Sequence, residues 1–262
     1  MPIITVNNLD IYYELHGRGK PLVLIAGYTG DHTFWNLMLD ELAQKFQVLI
    51  FDNRGIGQTK DNGTFFTLDT MAEDTFALTE KLGLAHPHIL GQSMGGTIAQ
   101  ILAKKYADKI DKLILLNSAA KFSLRTQMTL ESLLNLRKAN TSFDLFIDTA
   151  LPWFFSSDYL SKRENITNFK QALLDAPYPQ SIGDQERQYK ALSGFDSRSW
   201  LQDIRPRTLV IAAKDDIIAQ PDDSKALAMG ITGSKFVMIT GAHSSPVEQP
   251  HEVNKNILRF LL

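Results

Sequence analysis

Gly91-Gln92-Ser93-Met94-Gly95-Gly96 decides how this chain reads. The run Pro87-His88-Ile89-Leu90 leads into it, and Thr97-Ile98-Ala99-Gln100-Ile101-Leu102-Ala103 leads out with helical spacing. The order is strand, sharp turn, helix, with a serine at the apex. A turn this tight strains its central residue and leaves no room for a Cβ two positions to either side, where Gly91 and Gly95 stand. It presents the serine oxygen at the carboxyl edge of a sheet, beside helix-end N–H groups that can bind an anion. G-x-S-x-G between a strand and a helix is the nucleophile-elbow pattern.

Working outward, apolar runs alternate with helical patterns. Ile3–Val6 and Leu9–Leu15 read as two strands joined by a turn at Asn7-Asn8, at a sheet edge with one wet face. Pro21–Ala26, Phe46–Phe51, Ile110–Leu116, Thr208–Ala213 and Lys235–Thr240 read as strands, most of them apolar enough to be covered on both faces. Helices are expected from Asp31 or Thr33 to about Lys45, and from a capping box at Thr70–Glu73 to Leu82. Two more are expected near Asp222–Met229 and from Pro250 to Leu262. Such alternation supplies the crossovers that a parallel sheet needs. It lapses between Ala119 and Gly194, which reads as a helical insertion over the carboxyl edge, where open α/β folds bind ligands.

The 262 residues carry a net charge of −2, which gives no electrostatic case for nucleic acid or an anionic membrane as partner. The absence of cysteine excludes disulfides, thiolate chemistry and cysteine metal sites. No apolar run approaches the ~20 residues that span a bilayer, and the amino terminus does not read as a signal peptide, so a cytoplasmic location is expected.

A serine hydroxyl needs a base to become nucleophilic, and the base needs an orienting acid. His243, in Gly241-Ala242-His243 directly after the last strand, stands at the carboxyl edge. His32, at a helix start near that edge, is its one serious rival. Asp215 and Asp216 follow the strand that ends at Ala213, and either could face the histidine. The other position for an acid, after the preceding strand, holds Asn117, whose amide cannot stabilise an imidazolium. Two backbone N–H groups would hold an oxyanion: Met94, at the start of the elbow helix, and Tyr28, in the loop after the third strand. Asp52 and Arg54 read as braces of a tight loop at the rim. Gly55-x-Gly57 lacks the third glycine and the helix of a dinucleotide fingerprint.

Five motifs together, namely Ala26-Gly27-Tyr28, the Asp52–Thr59 loop, the Gly91–Gly96 elbow, the turn at Asp216 and Gly241-Ala242-His243, make the chain resemble the α/β-hydrolase superfamily over nearly its whole length. The branch is that of compact esterases, enol-lactonases and C–C hydrolases. The resemblance implies a mostly parallel eight-stranded sheet with helices on both faces and a helical cap after strand 6. The core would be residues 1–118 and 195–262, and the cap 119–194. It maps the triad onto Ser93, Asp216 and His243, since Asp216-Ile-Ile-Ala-Gln-Pro resembles the family's acid turn. Ala26 departs from the family's usual His-Gly in the oxyanion loop, and Ala213 stands where the acid turn often has glycine.

The resemblance implies hydrolysis of an ester-like bond of a small or medium, partly apolar molecule through an acyl-enzyme, with no metal or organic cofactor. Phe122, Leu151, Trp153, Phe154 and Tyr178 are candidates for an apolar pocket. The same triad serves lactone, thioester and C–C hydrolysis and cofactor-free perhydrolase or haloperoxidase chemistry; a ligand sensor with a retained triad is the non-enzymatic alternative. Lys162-Arg163 and Arg137-Lys138 could meet an acyl carrier protein, although solvated surface is the plainer reading of these charges.

Overall fold

A computed structural model describes residues 2–262. The strands are β1 (Ile3–Val6), β2 (Leu9–His16), β3 (Lys20–Ile25), β4 (Phe46–Phe51), β5 (His88–Gln92), β6 (Lys112–Leu116), β7 (Arg207–Ala213) and β8 (Lys235–Ile239). They form one eight-stranded sheet in the order β1-β2-β4-β3-β5-β6-β7-β8. β1 and β2 run antiparallel to their neighbours, and β3 through β8 are parallel. Asn7 and Asn8 join β1 to β2 with φ of 50° and 58°, a two-residue turn with both central residues left-handed.

Alternation along the central strands splits the core into two layers. Val23, Ile25, Leu49, Ile89, Leu113 and Val210 face α2 (Leu68–Lys81) and α3 (Met94–Lys105). Leu22, Leu24, Val48, Ile50, Leu90, Ile114 and Ile211 face α1 (Asn36–Ala43) and the last helix, Pro250–Leu261. Trp35 is wholly buried in that second layer, at the end of a 3-10 turn that Asp31 caps through the Thr33 N–H at 2.9 Å. The capping box of α2 lies three residues earlier than the expected Thr70–Glu73. Thr67 takes the extended N-cap conformation and Thr70 returns the hydrogen bond.

Between β6 and β7 the chain makes α4 (Leu124–Lys138), α5 (Phe143–Phe154), α6 (Ser157–Leu160), α7 (Arg163–Leu174) and α8 (Ile182–Ser193). This layer is tied to the loops that leave the carboxyl ends of the strands. Gln188 and Gln180 donate to the carbonyls of Arg54 and Gly55 after β4. Thr126 donates to the Ile218 carbonyl after β7, and the Ser244 N–H after β8 donates to the Phe154 carbonyl at 2.9 Å. α9 (Pro221–Gly230), α10 (Ser245–Glu248) and α11 (Pro250–Leu261) complete the chain. Among the described residues, no helix is long and apolar enough to cross a membrane.

Candidate active site

Ser93 sits between β5 and α3 with φ 54° and ψ −118°, a strained backbone for a residue with a side chain. The glycines around it are needed for close approach. A Cβ on Gly91 would lie 2.1 Å from the Gly95 carbonyl oxygen, and one on Gly95 would lie 2.0 Å from that of Ile25. The turn is pinned from β6 as well: the Ser93 N–H donates to the Leu116 carbonyl, and Ser118 Oγ donates to the Ser93 carbonyl.

Three side chains from distant loops meet there. His243 Nε2 is 2.9 Å from Ser93 Oγ, and His243 Nδ1 is 2.8 Å from Asp216 Oδ2. All three residues are buried. The other oxygen of Asp216 accepts the N–H groups of Ile218 and Ala219 at 2.8 and 2.9 Å, so the carboxylate is held at both oxygens. Asp215 points away, half exposed beside Lys214. The Tyr28 and Met94 N–H groups make no hydrogen bond among the described residues. Gly27, next to Tyr28, lies so near Ser93 that a Cβ on it would be 3.1 Å from the serine Cβ.

The histidine loop is fixed by residues that the motif reading does not assign a role. The His243 carbonyl accepts from Asn117 Nδ2 at 2.9 Å and Gln92 Nε2 at 3.1 Å. Asn117 also donates to the Ala242 carbonyl and Ser245 Oγ, and its Oδ1 accepts the Ala213 N–H at the end of β7. Glu248 accepts the Ala242 N–H together with the Ser156 N–H and Oγ. Burial raises the Glu248 pKa, against those hydrogen bonds. The one signal in sequence for Asn117 is its place directly after β6.

His32 does not reach the serine. Its Nδ1 lies 2.7 Å from Asp52 Oδ1, and Asp52 also accepts the N–H groups of His32 and Gln58. Burial disfavours the charged imidazole, but Asp52, with Asp31 and Glu14, outweighs it and the His32 pKa is raised. Asp31, His32 and Asp52 stand close enough to hold a cation, yet Asp31 and Asp52 are spent on local N–H groups. Arg54 pairs with Asp74 at 2.7 Å. Asp52 and Arg54 thus brace the loop after β4.

Of the apolar candidates, the Phe154 ring lies against His243, with centroids 5.8 Å apart. Trp153 lines an open groove of about 560 Å³ between α4 and α5, with Leu124, Met128, Leu133 and Leu136. Leu151 is buried among Ile147 and Phe155, and Phe122 within the larger core. Tyr178 is exposed. Arg137 and Lys138 part company. Lys138 pairs at the surface with Glu186, whereas Arg137 turns inward from α4, a departure from the solvated reading.

The arrangement can deprotonate an alcohol and hold an anion beside it. Comparison with known proteins agrees on the architecture. The sequence profile of the family described as alpha/beta hydrolase fold matches residues 20–250. A putative carbamate hydrolase of Caulobacter vibrioides is 27% identical, with 98% of each chain covered. A thermophilic esterase from Thermogutta terrifontis superposes with a TM-score of 0.86 at 26% identity, covering 100% of this chain and 98% of that one. The enol-lactonase of Burkholderia xenovorans LB400 superposes equally well, at 0.86 and 23% identity over 99% of each chain.

Proposed function

This chain belongs to the α/β-hydrolase family, and from that premise we propose that it cleaves carboxylic ester-like bonds through an acyl-enzyme on Ser93. The observation that carries the reading is the line of hydrogen bonds from Asp216 through His243 to Ser93. In the first half-reaction His243 Nε2 takes the proton of Ser93 Oγ as that oxygen attacks the carbonyl carbon. The N–H groups of Tyr28 and Met94 hold the oxyanion, a contribution of about 2.7–4 kcal/mol per donor. His243 returns the proton to the departing alcohol. Water then attacks the acyl-enzyme with His243 again as base, and the acid leaves with Ser93 restored. Asp216 holds the imidazole in the tautomer that presents a free Nε2 and stabilises its charged form.

A carbamate or lactone carbonyl would pass through the same tetrahedral intermediate, and relatives named for both acylated groups span nearly the whole chain. The test is steady-state turnover of 4-nitrophenyl acetate and butyrate beside lactone and carbamate substrates. Ser93→Ala should abolish turnover and labelling by a fluorophosphonate while the circular dichroism spectrum is unchanged. Turnover retained in that variant would remove Ser93 as nucleophile.

A further inference from the structure

Helix α4 buries Thr126, Leu130, Leu133 and Leu134 in an inward-facing stripe, and the next position of that stripe is Arg137. Its guanidinium is half-buried beneath the helical layer. It donates to the Gln185 side-chain oxygen and, at 2.9 Å, to the Gln180 carbonyl, and lies 6.0 Å from the Phe146 ring. All of these neighbours are neutral. The nearby acids are engaged elsewhere: Asp61 and Asp184 hold Arg187 at 2.9 and 2.6 Å, and Glu186 holds Lys138 and Lys190 at 3.0 Å each. Among the described residues Arg137 makes no ion pair.

A donor with no partner lies near it. The Tyr28 hydroxyl is buried near the Gln185 side chain and Arg137 and has no hydrogen-bond partner. Burial raises the Tyr28 pKa, so the phenol remains a donor at any working pH. Tyr28 belongs to the loop proposed to hold the oxyanion. Its neighbour Gly27 packs against Ser93, and its own side chain reaches toward Gln185 on α8 and Arg137. The same loop is tied to this cluster by the Thr29 N–H on Gln188, which in turn accepts from Gln180. A half-buried cation and a buried hydroxyl thus meet at the side chain of Tyr28, whose neighbour Gly27 packs against Ser93. A half-buried charge without a counter-ion is costly, and a planar guanidinium beside an O–H donor matches a carboxylate.

We infer that Arg137 and the Tyr28 hydroxyl form a receptor for a carboxylate carried by the substrate, so that the enzyme favours esters of dicarboxylic acids or of carboxylate-bearing alcohols over neutral ones. This rests on the reading of Ser93 as the hydrolytic centre. The probes are 4-nitrophenyl monoesters of succinic, glutaric and adipic acids, each beside its methyl-capped neutral counterpart, and the acetyl esters of 3- and 4-hydroxybenzoate for a carboxylate on the leaving side. The quantity read is the ratio of kcat/KM for the charged ester to that for the neutral one. It exceeds unity in the wild type for at least one spacer length. It falls at least tenfold, about 1.4 kcal/mol, in Arg137→Met, falls less in Tyr28→Phe, and is partly kept in Arg137→Lys. A ratio below unity for every probe in the wild type, or one unchanged in Arg137→Met, overturns the receptor.

A merely structural Arg137 would lower both rates together and leave the ratio alone. Calorimetric titration of the Ser93→Ala protein with glutarate decides the matter without turnover. Saturable binding that weakens with salt and is lost with Arg137→Met supports the receptor, even if the hydrolytic reading fails. Absence of binding in the Ser93→Ala protein, with no spacer favoured in the wild type, ends it.

Discussion

Replacing Asn117 with alanine is expected to loosen the histidine loop without touching any atom proposed to react. The side chain is wholly buried and links three segments: its amide donates to the Ala242 and His243 carbonyls and to Ser245 Oγ, and its oxygen accepts the Ala213 N–H. Alanine leaves that N–H unpaired in the core, a loss of about 1–3 kcal/mol. The carbonyls suffer less, because Gln92 still donates to His243 and the Ser245 N–H to Ala242. Asn117 also holds φ at 46°, a left-handed conformation that asparagine tolerates better than alanine, for which it costs roughly 1–2 kcal/mol. The sum is about 2–5 kcal/mol, on the order of 10 °C in Tm for a chain of this size. An imidazole displaced by about 1 Å would lower kcat/KM roughly a hundredfold. Urea unfolding and ester turnover read the two effects separately. Asn117→Gly relieves the backbone term alone, so it should recover part of the stability and little of the activity. If Asn117→Ala unfolds within 1 kcal/mol of the wild type and turns over ester at the wild-type rate, the tether argument is wrong.

Two further outcomes follow from the geometry. His88 is buried at the start of β5, its Nδ1 without a hydrogen bond though 3.7 Å from Asp111, and burial pushes its pKa down to about 4. The unfolded chain binds that proton at the ordinary value near 6.5, so stability is complete above that pH and is lost as pH falls toward 4. Between pH 7 and pH 5 the loss is about 2 kcal/mol. The loss of stability between pH 7 and pH 5, read from urea unfolding, should be larger in the wild type than in His88→Leu by that amount, and an equal pH effect in the two proteins would exclude His88 as its source. Asp216→Asn should lower kcat by about 10⁴-fold through the wrong imidazole tautomer, while Asp215→Asn, at the surface, should change it less than about threefold. The reverse order would move the acid to Asp215.

The sheet and the line from Asp216 to Ser93 are legible in the sequence for one reason. Each key side chain follows an apolar run that reads as a buried strand, so strand order along the chain places Ser93, His243 and one of Asp215 and Asp216 on one edge; the resemblance of the acid turn picks Asp216. Gly91 and Gly95 mark the turn because no other residue fits it. The tethers are harder to read, since Gln92, Asn117 and Glu248 act on backbone groups whose positions depend on loop conformation. The helical layer is harder still. Phe154 and not Trp153 meets the imidazole, because helix α5 ends there and one residue's rotation decides which ring turns in. Arg137 reads as surface by its charge, while its spacing from Leu130 and Leu134 puts it inside; charge and periodicity disagree, and periodicity prevails.

The Phe154 carbonyl carries a consequence for traffic. It receives the Ser244 N–H, and two residues later Ser156 shares Glu248 with Ala242. Residues on either side of the imidazole are therefore leashed to the corner where α5 ends. Swinging that corner aside to admit a bulky guest would drag the base off its serine, so the enzyme would be disarmed for as long as that door stood open.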